Sequence, residues 1–89
     1  MTGNQAYESA KLHRAHWDKL VADASARLKA VPGVGSGPHG LTPDEVKRRP
    51  DYQQARAEYQ RLFSASRNWN RHFVAVFGAE IRAERRARA

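Results

Sequence analysis

The sequence predicts an all-α protein: an antiparallel helical hairpin of two long amphipathic helices with a short capped helix, about 42–49, in the connection. Three observations predict it. Apolar residues recur at alternating steps of three and four along two long segments, the period of an amphipathic helix. A nine-residue run, PGVGSGPHG at 32–40, holds four Gly and two Pro and separates them. No segment alternates apolar and polar residues with β-branched enrichment, so no strand is expected.

The first helix is read over 4–30. Thr2 or Asn4 can cap it, and Gln5 stands at capping-box distance from Thr2. Its stripe is Tyr7, Ala10, Arg14, Trp17, Val21, Ala24, Leu28 and Val31, widened by Leu20 and broken by Arg14. Val31 precedes Pro32, whose ring disfavours a helical conformation at the residue before it. The run 32–40 is then a flexible connector.

Thr42-Pro43-Asp44-Glu45 reads as N-cap, proline at the first helical position and a capping-box glutamate. Leu41 and Val46 fall at the two positions of a hydrophobic staple. Pro50 lacks an N–H and clashes with the preceding turn, so a break or kink is expected near Arg49.

The second long helix is read over 51–86. Tyr52, Ala55, Tyr59, Leu62, Ser66, Trp69, Phe73 and Val76 keep a 3-4 spacing, with Phe63 and Phe77 beside the seam and Ile81 extending it. Gly78 is its weak point, at about 1 kcal/mol against alanine. Folded back as a pair, the helices place Val31 near Tyr52, Trp17 near Ser66 and Tyr7 near Val76. Residues beyond Gly78 would then project as a free basic end. Trp17, Tyr59, Leu62, Trp69 and Phe73 are the expected core. An Arg14–Asn70 layer, joined by His13, would account for the break in the stripe.

The 89 residues allow one domain, 1–89. So short a chain buries only about 60–65% of its unfolded surface. No cysteine is present to add disulfides or thiolate metal sites. The stripe of the second helix is wider than one neighbour covers, so a homodimer forming a four-helix bundle is expected. The alternatives are closure by the 42–49 helix or a protein partner. The first fifteen residues hold no apolar run and no stretch approaches about 20 apolar residues, so neither a signal peptide nor a membrane span is expected. The expected location is cytoplasmic. The excess of Arg over Lys and the many alanines suggest a GC-rich bacterial genome.

Little in the sequence supplies reaction chemistry, and no enzyme activity, catalytic residue, cofactor or metal is expected. His13 and His16 stand three apart and His72 could approach them, but no Glu-x-x-His step accompanies them. Ser64 and Ser66 lie within a helix, not on a strained nucleophile turn. The glycines at 33, 35, 37 and 40 follow no strand and precede no Gly-Lys-Ser/Thr. Asp44 and Glu45 are accounted for by capping.

Charge is more informative. Sixteen basic residues, twelve of them Arg, face nine acidic ones, for a net +7. Such a balance favours nucleic acid or another anionic partner, though it is also ordinary for a soluble domain. Residues 51–89 carry eight positive and four negative charges, a net +4 and the largest share. The candidate nucleic-acid-binding residues are Arg82, Arg85, Arg86 and Arg88 in the tail, and Arg67 and Arg71 in the stretch RNWNRHF. Cations in a last helical turn also favour the helix dipole. The sequence thus points to a small basic binding module, engaging nucleic acid as an accessory or regulatory factor. The alternative is a protein-interaction adaptor or inhibitor docking through the apolar stripe of the second helix.

Overall fold

A computed structural model describes residues 5–88. The two candidate N-caps, Thr2 and Asn4, lie outside the described residues. The chain forms α1 (Gln5–Lys29), a 3-10 turn (Pro38–Gly40), α2 (Asp44–Lys47) and α3 (Pro50–Arg88), with no strand among the described residues. The two long helices pack against each other as the predicted hairpin.

The α1 stripe is the packing face. Tyr7 and Ala24 are buried, and Ala10, Trp17, Val21, Leu28 and Val31 are half-buried. On α3, Leu62 and Phe73 are buried, while Ala55, Tyr59, Ser66 and Trp69 are half-buried. The expected core therefore needs correction. Leu62 and Phe73 belong to it, Trp17, Tyr59 and Trp69 only line it, and Tyr7 takes a central place at 5% exposure. Tyr7 stacks on Phe73 at 5.8 Å and meets Phe77 at 5.4 Å between ring centroids. The register agrees with that predicted: His13 faces Trp69 at 6.4 Å, and Arg27 Nη2 pairs with Glu58 Oε1 at 2.9 Å.

The connector is less free than its composition suggests. Gly37 N–H donates to the Leu41 carbonyl at 2.8 Å, and Ser36 Oγ donates to the Gly33 carbonyl at 2.7 Å. The capping box does not form. Thr42 Oγ1 accepts instead from Gly35 N–H at 3.1 Å, and Pro43 is the N-cap residue of α2. A turn of the connector captures the hydroxyl that would have capped the helix. The staple also fails, because Leu41 is 66% exposed while Val46 is buried. Val46 packs against Gly33, at which an added Cβ would lie 2.6 Å from Val46 Cγ2. Gly33 also has φ +90°, a conformation that side-chain-bearing residues rarely adopt.

The chain breaks at the predicted place. α2 ends at Lys47, and Pro50 becomes the first residue of α3, where its missing N–H costs nothing. Arg49 clamps the junction, with Nη2 2.7 Å from Asp51 Oδ2 and Nη1 3.4 Å from the Pro32 carbonyl.

α3 is bent. The bend is at Phe77, whose φ −110° and ψ 23° lie outside the helical region, next to Gly78. At this end of the seam Val76 is 62% exposed, and Phe77 is half-buried against Tyr7 and Phe73.

Candidate functional site

The bend brings the end of α3 onto α1. Tyr7 Oη donates to Glu84 Oε1 at 2.7 Å, and Lys11 Nζ donates to Glu84 Oε2 at 2.7 Å. Lys11 is also 3.3 Å from Glu8 and lies over the Tyr7 ring at 4.9 Å. The expectation of a free basic end beyond Gly78 is thus corrected: the tail is held at Glu84. The hydrogen bond from Lys11, then that from Tyr7, holds the Glu84 carboxyl below the usual carboxylate range. The same contact to Glu84 raises Lys11, and it raises the Tyr7 phenol with help from burial.

With Glu84 turned inward, the tail arginines face outward. Arg82, Arg85, Arg86 and Arg88 are all exposed. Arg88 lies 3.8 Å from Glu84, while Arg82, Arg85 and Arg86 make no ion pair with a described residue. The Arg82 guanidinium folds back over Gly78, with Nη1 3.3 Å from where a Cβ would be.

Arg67 and Arg71 lie before the bend, and both are exposed. They share a pocket of about 370 Å³ with Arg14, Asp18, Ser66 and Asn70, lined also by Trp17 and Trp69. Arg67 stacks over Phe63 at 5.8 Å, and Arg14 over Phe73 at 5.6 Å. Arg14 is thus a third arginine at this place, which the sequence marked as a break in a stripe and as part of a polar layer with Asn70. The Arg14–Asn70 layer joined by His13 does not form. Asn70 Oδ1 is buried without a hydrogen-bond partner among the described residues, and His13 lies on Trp69 instead.

An open groove of about 680 Å³ lies along one side of the hairpin. α1 supplies Ala6, Ser9, Ala10, His13 and Trp17. α3 supplies Ala65, Asn68, Trp69, His72, Phe73, Val76 and Phe77. None of these carries a formal charge apart from protonation of the two imidazoles, in a chain 28% charged. His13 and His72 line the groove but His16 does not. No group of three His, Asp or Glu among the described residues could hold a metal ion. No helix of the described residues is long and apolar enough to cross a membrane.

No family model, curated protein sequence or solved structure matches the chain.

Proposed function

We propose that the chain is a small non-enzymatic helical binding module whose arginines engage the phosphates of nucleic acid. One observation carries this reading: the tail's Glu84 is bound on its inner side by Tyr7 and Lys11, while Arg82, Arg85 and Arg86 stay exposed and unpaired among the described residues. The short contacts of the Glu84 carboxylate are thus to α1, and within the cluster it reaches only Arg88, at 3.8 Å. Arginine forks suit phosphate oxygens, and such contacts position a protein without reading sequence. Arg14, Arg67 and Arg71 form a second basic group farther along the hairpin.

The test is a fluorescence-anisotropy titration of labelled duplex DNA and RNA with the full chain. Binding should be tight at low salt, nearly independent of sequence, and steeply weakened as salt rises. Absence of binding at low salt would remove the reading.

The uncharged groove favours a second reading, a protein-interaction module that docks an apolar helix. Apolar docking would lack the steep loss of affinity with salt.

A further inference from the structure

We propose that the groove is filled by a second copy of this chain, giving a two-fold symmetric four-helix bundle. The inference rests on the reading of the groove as a docking surface and is independent of phosphate binding.

A compact monomer of 10.1 kDa exposes about 5,300 Å² by the scaling of surface with mass, and this chain exposes 6720 Å². The excess is on the order of 1,400 Å². A standard interface removes about 800 Å² from each partner, so one such contact accounts for over half of it. No other element of the described residues covers the groove. Neither α2 nor the stretch beyond Gly78 contributes to its lining, and Val46 is occupied against Gly33.

His13 is level with Trp69. Because antiparallel helices rise equally, Ala10 is then level with His72, Ala6 with Val76, and Trp17 with Ala65. A two-fold axis parallel to the helices preserves these levels and sets each α3 over the α1 of the other copy. Val76 then meets Ala6 of the partner subunit, and His72 meets Ala10 of the partner subunit. At the other end Ala65 meets Trp17 of the partner subunit. Large residues oppose small ones at all three levels, as close packing requires. An isologous contact needs this self-complementarity.

Two chains of net +7 repel each other, but the groove's own surface brings no Lys, Arg, Asp or Glu into contact. Screening the surrounding charge should therefore strengthen association. Phosphate binding has the opposite salt dependence, as has docking of an acidic partner.

Sedimentation equilibrium of the full chain, at two salt concentrations, tests the proposal. The expected mass is twice 10.1 kDa at micromolar concentration, with a larger dimer fraction at the higher salt. Val76→Glu and Ala6→Glu each place a carboxylate in the groove at positions exposed in the single hairpin, so folding should survive. Each should weaken the dimer about tenfold or more while circular dichroism stays unchanged. Val74→Glu, exposed but outside the groove, should remain dimeric. A monomeric wild-type chain at both salts overturns the proposal, as does a dimer indifferent to both groove variants. A different protein captured by a wild-type monomer but not by Val76→Glu overturns the second copy and leaves groove docking standing. Anisotropy titration of the same variants reads phosphate binding separately.

Discussion

Lys11 and Glu84 are 73 residues apart in the chain, and their charged atoms are 2.7 Å apart in space. Two parallel-sided helices in the register of this hairpin could not make that contact. In the register set by His13 and Trp69, Lys11 is level with Arg71, so Glu84 on a straight α3 would stand about 20 Å beyond it along the axis. The bend at Phe77 and the reach of the two side chains close that distance, and the tail's position follows from the bend and the contact together.

Glu84→Gln should release the tail while leaving most of the hairpin intact. Hydrogen exchange of the amides after Gly78 should speed up, with α1 and the first part of α3 little changed. Unchanged tail protection would show that the tail is held by something other than this carboxylate.

The same contact has a pH signature. The folded Glu84 is depressed, so its contribution is complete above the ordinary carboxylate value and is lost as pH falls through the depressed folded value. Tyr7 and Lys11 are raised, so theirs is complete below their ordinary values and lost as pH rises through the raised ones. Tail exchange measured against pH should show a protected plateau between these limits. A profile that follows only the intrinsic exchange rate would contradict it.

Gly78→Ala should favour a continuous helix over the bend. Alanine is better in a helix interior by about 1 kcal/mol, and the atom nearest its Cβ is the movable end of Arg82. The expected result is a modestly raised melting temperature together with a longer distance between spin labels at the start of α1 and in the tail. An unchanged distance would place the origin of the bend in the Phe77 packing alone.

Much of this architecture was legible in the residues. The two stripes, the glycine-rich connector and the interruption at Pro50 all follow from local rules of helix period and proline geometry. Three features were not. Thr42 had a competing partner, the Gly35 N–H, that only a folded connector presents. Val76 fits the 3-4 pattern, but it falls on the open groove beside Trp69 and Phe73, where no other described element covers it. Gly78 was visible as a weak point, yet the direction of the bend depends on Tyr7 and Lys11, which lie at the other end of the chain. The six candidate arginines were all identifiable; the inward turn of Glu84 and the company of Arg14 required the structure.

Phe73→Ala should be the most damaging single truncation, because Phe73 is 3% exposed and touches Tyr7, Trp69 and Phe77. A loss of about 3–5 kcal/mol is expected in urea unfolding. Trp69→Ala should cost less than this in a monomer and more under dimerising conditions, where the groove is covered. An equal cost in both would detach Trp69 from the proposed interface.

Gly33→Ala should loosen the connector end of the hairpin. The new Cβ meets Val46 Cγ2 at 2.6 Å in a backbone conformation with φ +90°, and strain of this kind costs about 1–3 kcal/mol. Val46→Ala in the same background removes the collision but not the backbone strain, so partial recovery of stability is expected. No recovery would assign the whole effect to the backbone.

The central claim is that the outward-facing arginines of the tail contact phosphates. Replacing Arg82, Arg85, Arg86 and Arg88 together by Gln removes charge at nearly constant helix propensity. The decisive measurement is the slope of log K against log salt for duplex binding, wild type beside the quadruple variant. The account predicts a slope shallower by about 3–4 units in the variant, since each lost phosphate contact removes nearly one unit. Wild-type binding with a slope that the four substitutions leave unchanged would contradict it.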